Sequence, residues 1–502
     1  MLPSSTLLAL LWLACQPASD GGTSDGGTSD GGTSDGGTSD GGTSDGGTSD
    51  SGGEEEAGCA YDRWDPEDFA TVIEVGPGRD AETPSDVPWE ALTAGTLVRI
   101  WPEGSPYHHK WAIDAAGTQG APIVVLGVCD PLTGALPIID GDGATTRLAL
   151  DFWSEARGLI KIGGTSTAPD TVPAWIHVED LELRGAREGH SFIDDAGAAS
   201  SYADNAAAWF VEEGEHISLR GCTLTDSGNG AFVASAARDV VISSNHLHGN
   251  GNVGSAYEHN SYTEALGITF EYNRYGPLCE GCSGNNLKDR SAGTVIRYNW
   301  IEGGNRQLDL VESSDETLMA DPSYRQTFVY GNVLIEREGT DNSQIVHYGG
   351  DNGGGRQGTL YFYGNTVVSE RAGNTTLLRL SDDAEQAVVR ASVIHAAGTL
   401  GLVTTAGTLD IDQSWLSTGW RDSIDGTGAV LAGEGLLEGA DPRFDDDYKL
   451  AEGSPCLDVG AGPPAGAEAH PLLRQYRPHQ GGEVRPEDGA PDLGAFELGA
   501  AH

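Results

Sequence analysis

The sequence predicts an all-β chain, a stacked parallel β-helix (solenoid) preceded by a disordered linker. Three observations predict it. A short strand closed by Asn recurs along the chain, each strand alternates apolar and polar residues, and no stretch between the copies has the periodicity of an amphipathic helix of useful length. Aligned on the closing residue, the copies are HISLRGC (Cys222), DVVISSN (Asn245), GITFEYN (Asn273), TVIRYN (Asn299), TFVYGN (Asn332) and TLYFYGN (Asn365), with steps of 23, 28, 26, 33 and 33 residues. WIHVEDLEL at Trp175–Leu183 is a weaker, earlier copy. Steps of that size fit coils of two or three short strands, each stacked about 4.8 Å above the last. Asn suits the bend because its amide bonds corner backbone and it tolerates left-handed geometry. The closing Asn residues are expected to form an internal amide ladder, a structural role.

The elements follow in chain order. Met1–Ala14 is an apolar leader, too short to span a bilayer as a mature helix. Residues 1–15 therefore form a signal peptide, and Leu11-Trp12-Leu13-Ala14-Cys15 looks like a bacterial lipoprotein signal with Cys15 as the lipidation site. Trp12 departs from the usual Leu of that motif. Residues 16–58 form a linker containing six tandem copies of Gly-Gly-Thr-Ser-Asp from Gly21 to Asp50. Nothing in it can build a core, and it serves as a solvated tether spanning roughly 30 Å. Residues 59–499 form the β-helix domain, a length normal for a solenoid, where each repeat contacts only its neighbours.

The net charge of −48 over 502 residues excludes a nucleic-acid partner, because phosphate binding needs a basic surface. It fits a chain kept soluble outside the cell, either secreted or held at a bacterial cell surface by lipid, with no other membrane contact. A monomer is expected. Cys59, Cys129, Cys222, Cys279, Cys282 and Cys456 allow fifteen pairings, and none is assigned. Cys279-Glu-Gly-Cys282 has zinc or redox spacing, but no second pair completes a metal site. A local disulfide or free thiols is expected there.

A second strand follows most closing Asn residues, at Tyr257–Thr263, Asn286–Asp289, Gln307–Val311, Gln344–Tyr348 and Thr376–Leu380. Stacked as one sheet, these strands put Tyr262, Lys288, Asp309, His347 and Arg379 on successive rungs. A slip of one residue would swap the face of any of them. Between Arg274 and Arg306 lie five basic residues against three acidic ones, a local positive site in an acidic chain. Arg297 aligns above Glu271 and is assigned to a cross-rung ion pair.

The chain resembles the right-handed parallel β-helix proteins of the pectate-lyase-like superfamily. GTLVRIWPEG, AGTQGAPIVVLGV and PIIDGDG are similar to the opening coils of secreted β-helix polysaccharide lyases, and DPRFDDDYKLAEGSPCLDVG with PDLGAFE resembles the closing segment of many secreted β-helix proteins, a resemblance of fold and not of reaction. HNSYTEALGITFEYNRYGP and GNNLKDRSAGTVIRYNWIEGGNRQLDLVES resemble secreted polysaccharide-degrading proteins. More distantly, Asn286-Leu287-Lys288 followed by Gln307-Leu308-Asp309-Leu310 is similar to the core of the alginate lyase and chondroitinase B family. That resemblance implies Lys288 as base and calcium as a cofactor that neutralises the substrate carboxylate. The family's assisting Arg has no match, since Asp309, Val311 and Glu312 fill that strand. No acidic set for calcium can be matched.

These residues point to an enzyme, a lyase cleaving a uronate-containing polysaccharide. Elimination needs a base to remove the proton alpha to a carboxylate and cations to stabilise the resulting anion. Lys288 is the candidate base, with Arg290 and Arg306 expected to lower its pKa and neutralise the carboxylate. His259 and Tyr262 form an alternative base and acid, with Tyr262 expected on the face of Asn260. Asn260, Asn286, Gln307 and His347 are candidate substrate contacts, and Trp300 a candidate sugar platform. A glycoside hydrolase would instead use Asp309 with Asp289 or Glu312. A noncatalytic glycan-binding adhesin is the third alternative, and it has no need of clustered charge chemistry.

Overall fold

The computed structural model describes residues 63–499 apart from 152, 166–170, 340–341, 352–353 and 488. The leader, Cys15, the Gly/Thr/Ser/Asp linker, Cys59 and the first residues of the domain lie outside the described residues. The chain is a parallel β-helix. One long stack runs through Ala207–Arg220, Asn229–Ser243 and Ser261–Glu271. Above Ser261–Glu271 it divides into two. Leu287–Asp289, Leu308–Leu310, Gln344–Tyr348, Asn374–Leu380 and Thr399–Thr405 continue one face. Ala292–Arg297, Gln326–Tyr330, Thr359–Tyr363 and Gln386–Arg390 continue the other. A third, 11-stranded sheet runs from Ile138–Asp140 to Leu437–Gly439.

Period-2 alternation turns one residue set inward. Leu219, Ile242, Phe270, Ile296, Val329, Phe362, Val389 and Ile411 stand in direct register and are buried in one continuous core. Each rung covers the apolar surface of the one below, which is the main stabilisation of a solenoid.

The Asn ladder is present. The Nδ2 of Asn245 donates to Asn273 Oδ1 at 3.0 Å, Asn273 to Asn299 at 2.9 Å, Asn299 to Asn332 at 2.9 Å and Asn332 to Asn365 at 3.0 Å. Ser392 and Ser414 extend it by side-chain oxygens that accept from the coil before. The corner geometry differs from expectation in one respect. The left-handed residue is the one before each Asn: Ser244, Tyr272, Tyr298, Gly331 and Gly364 have φ of 57°, 56°, 55°, 66° and 57°. The Asn contributes its amide, not the bend.

The C-terminal segment folds back along the rod. A hairpin of Arg474–Arg477 with Gly481–Val484 lies there, and Tyr363 Oη donates to His470 O at 2.6 Å. Arg297 pairs with Glu271 at 2.7 Å, as the alignment predicts. Cys279 and Cys282 form a disulfide, which removes the zinc alternative, and Cys222 and Cys456 are free and buried. Among the described residues no helix is long and apolar enough to cross a membrane.

Candidate active site

The outward face of the divided sheet carries the chemistry. Phe232, Tyr262, Lys288, Asp309, His347 and Arg379 pair rung to rung, Cα to Cα. The expected register therefore holds. Each side chain occupies the outward position of its strand while Leu287, Leu308, Leu310 and Val346 fill the core beneath.

Asp309 is the hub and is only 2% exposed. Its Oδ1 meets His347 Nδ1 at 2.7 Å, and its Oδ2 accepts from Asn285 Nδ2 at 2.7 Å and lies 3.2 Å from Lys288 Nζ. Arg306 stands 3.7 Å away. Burial opposes its charge, but the His347 hydrogen bond and the Lys288 and Arg306 charges outweigh it and hold the carboxyl well below its ordinary value. Asp309 is thus a permanent carboxylate that only accepts. It fixes the proton of His347 on Nδ1, so the Nε2 lone pair is the acceptor that faces Ser381 Oγ at 2.9 Å, a hydroxyl that can turn instead to the Gly349 carbonyl at 3.3 Å. Burial lowers the His347 pKa, so the ring is neutral near pH 7.

Lys288 differs from expectation. Burial would lower its pKa, yet Asp309 and Asp351, the latter 2.9 Å from Nζ, raise it instead. Lys288 is held as an ammonium and is a cation or acid here, not a resting base. Arg290 Nε donates to Tyr262 Oη at 3.0 Å, and its Nη2 meets the same Asp351 oxygen as Lys288. Two cations thus converge on one half-exposed carboxylate. Arg306 turns to Gln344, bonding its Oε1 at 3.0 and 3.1 Å. Arg379 lies beside His347 and, among the described residues, its side chain makes no ion pair or hydrogen bond; its Nε is buried and unbonded.

His259 is buried at the site's edge. Its Nδ1 accepts from the Asn285 backbone N–H at 2.9 Å, so the lone pair a base would need is already used. Burial and the Lys288 charge push its pKa down to about 3. Tyr262 projects outward, but Asn260 does not share its face. Asn260 sits at the corner before the strand, which begins only at Ser261, and its side chain points inward. It belongs to a second internal ladder, in which Asn250 Nδ2 donates to Asn260 Oδ1 at 2.9 Å and Asn260 Nδ2 to Asn286 Oδ1 at 2.5 Å. Asn286 is likewise interior and bonds the Gly303 carbonyl. Gln307 is fully buried and donates to Glu336 Oε2 at 2.6 Å. None of these three can touch a substrate.

Trp300 points away from the core, but the C-terminal segment covers it: its ring packs against Tyr448, Tyr476 and His479, leaving no sugar platform. Asp289 turns inward, its carboxylate accepting from Thr263, Ser291 and Thr294 hydroxyls. That removes it from any pair of hydrolytic carboxylates. Glu312 is buried at the rim and accepts from the Asp351 N–H at 2.8 Å. Among the described residues no group of three His, Cys, Asp or Glu side chains can hold a metal ion. Those residues form no carboxylate cage for calcium.

Four participants were not singled out in the sequence: Asn285, Asp351, Ser381 and Phe232. Ser381 follows Arg379 by two residues, so alternation alone would have put it on the same face. Asp351 lies in a Gly-rich loop with no periodicity to read.

No family model matches the chain, and no curated protein matches it. Similar solved structures include a pectate lyase (TM-score 0.46, 12% identity, covering 86% of this chain and 96% of that one). Others are an alginate lyase from Paenibacillus sp. str. FPU-7 (0.43, 11%, 73% and 99%) and a lacto-N-biosidase from Eubacterium ramulus (0.39, 11%, 73% and 68%). Such likeness assigns neither a reaction nor a residue role. The three stacks of parallel strands make this chain a parallel β-helix on their own evidence.

Proposed function

We propose that this chain is an exported polysaccharide-degrading enzyme, a lyase that cleaves a uronate-containing glycan by β-elimination. The observation that carries it is a neutral His347 whose tautomer Asp309 sets, with Arg306 and Arg379 beside it and Lys288 and Arg290 farther along the same face, in a chain of net charge −48. A trough of that sign draws an anionic polymer.

His347 Nε2 takes the proton alpha to the uronate carboxylate. Arg379, with no carboxylate of its own, neutralises the substrate carboxylate and the anion formed from it. Lys288, held protonated beside Asp309, gives its proton to the departing glycosidic oxygen. Tyr262 and Phe232, whose rings meet at 5.3 Å, form an aromatic wall along which a sugar can lie. A hydrolase drawing its acid from Asp309 lacks the proton it needs, because that carboxylate stays ionised.

The test is incubation with a panel of polyuronides. Far-ultraviolet absorbance from a new carbon–carbon double bond, rising with reducing ends, is expected. Reducing ends without that absorbance would replace elimination by hydrolysis, and glycan binding with no product would leave an adhesin.

A further inference from the structure

Ser381 has no part in the elimination, yet it is placed as a reactive hydroxyl. It follows the strand Asn374–Leu380, two residues after Arg379 and on the same outward side. Its Oγ lies 2.9 Å from His347 Nε2, while His347 Nδ1 lies 2.7 Å from Asp309 Oδ1. Asp309 accepts only, so the imidazole proton sits on Nδ1 and the Nε2 lone pair faces the hydroxyl. Carboxylate, imidazole and hydroxyl in that series activate serine for acyl transfer, whatever the fold.

The surroundings hold the hydroxyl in place. The Ser381 backbone N–H donates to Glu385 Oε2 at 2.6 Å. Glu385 Oε1 accepts from the Arg356 N–H at 2.7 Å, which ties the strand end to the neighbouring loop. Gly350 has φ +76°, and a Cβ there would come 2.2 Å from Ser381 Oγ, so only glycine lets the backbone pass this close. Ser381 as a residue is half-buried behind that glycine turn, which suits a small acyl group. Arg379 supplies positive charge on the same face.

We propose that Ser381, His347 and Asp309 form a nucleophilic relay that hydrolyses small O-acyl esters, acetyl esters above all, carried by the hydroxyls of an anionic glycan. Ser381 Oγ attacks the ester carbonyl carbon and its proton passes to His347 Nε2. The tetrahedral oxyanion, balanced by Arg379, collapses and expels the sugar alkoxide, which takes the proton from His347. Water, deprotonated by His347, then attacks the acyl-serine. The carboxylic acid leaves and the proton returns to Ser381. The step needs only ester and water. It shares His347 and the class of glycan with the elimination proposed above, but does not require chain cleavage.

The full chain is treated with a fluorophosphonate probe and the labelled peptide is mapped by mass spectrometry. In parallel, acetate release from an O-acetylated polyuronide is followed by proton NMR. Expected are a single phosphonylated residue at Ser381 and acetate release that falls about a thousandfold or more in Ser381→Ala. Mapping on the unmodified chain keeps the test valid if the variant misfolds. A label elsewhere or nowhere on folded protein overturns the proposal, as does wild-type acetate release from a folded Ser381→Ala. Acetate without far-ultraviolet absorbance sustains the relay and sinks the elimination; absorbance without acetate does the reverse.

Discussion

Asp309→Asn is the sharpest perturbation, because it changes one atom at the centre of the site. The amide nitrogen must face one of two sides. On the Lys288 side it meets two donors, the ammonium at 3.2 Å and Asn285 Nδ2 at 2.7 Å. On the His347 side it meets Nδ1 at 2.7 Å. The first arrangement sets donor against donor twice, so the amide turns to His347 and forces Nδ1 to accept. The proton then moves to Nε2 and the lone pair facing Ser381 is lost. Catalysis relying on that lone pair should fall by about 10³–10⁴-fold, the scale seen when an Asp that sets a His tautomer becomes Asn. Stability should fall too. Lys288 and Arg306 lose a buried counter-charge, a loss of about 3–5 kcal/mol when one partner of such a pair is removed. Asp351 still pairs with Lys288, which places the expected loss toward the lower end. Urea midpoints at constant m report the stability, and product formation per folded molecule reports the rate. A variant within tenfold of wild-type activity would refute the role given to Asp309. A midpoint shift worth less than about 1 kcal/mol would show that the pairs contribute no more than surface ones.

Three other outcomes are expected. Asn299→Ala removes the Oδ1 that accepts from the Asn273 N–H and Nδ2 and the Nδ2 that donates to Asn332 Oδ1 and the Phe270 carbonyl, and should cost about 2–4 kcal/mol in a urea melt while leaving the other coils folded. His259 is neutral in the fold, with a pKa of about 3 against 6.5 unfolded, so its contribution is whole above pH 6.5 and is lost as pH falls toward 3, by about 1.4 kcal/mol per unit. Between pH 7 and pH 5 wild type should therefore lose about 2 kcal/mol more than His259→Asn in urea melts, since only the part of that interval below 6.5 counts, and equal losses would count against the burial of His259. Activity that depends on neutral His347 should persist as pH falls through 6.5 and fail only below it, since burial lowers that pKa; an acid limb centred above 6.5 would contradict the site.

Much of the fold was legible because a solenoid writes its geometry into local sequence. The closing Asn marks each corner, and alternation fixes which residues enter the core, so Ile296 and Phe270 could be stacked without knowledge of anything distant. The same alternation located the face shared by Tyr262, Lys288, Asp309, His347 and Arg379. It failed where a residue lies outside a strand. Asn260 and Gln307 precede Ser261–Glu271 and Leu308–Leu310, at corners where the backbone turns and period 2 no longer holds, and both side chains go inward. Trp300 obeyed the alternation and was still misjudged, because a segment some 150 residues later lies over it.

The electrostatics were harder to read for a different reason. Basic neighbours in sequence suggested that Lys288 would lose its proton easily, since Arg290 is two residues away. Along a strand, residues two apart share a face, but the dominant partners in a stacked sheet lie across it. Asp309 stands one rung above Lys288, and Asp351 arrives from a loop 63 residues on. Charge composition within a window therefore gives the sign of the trough but not the protonation of any one group in it. The same cross-rung logic gives His347 its role. Its sequence neighbours are apolar or Gly, and only the rungs on either side supply the carboxylate and the hydroxyl that set its tautomer and its task. In a fold where contacts repeat at each rung, one carboxylate placed between a lysine and a histidine sorts them into a held cation and a free base.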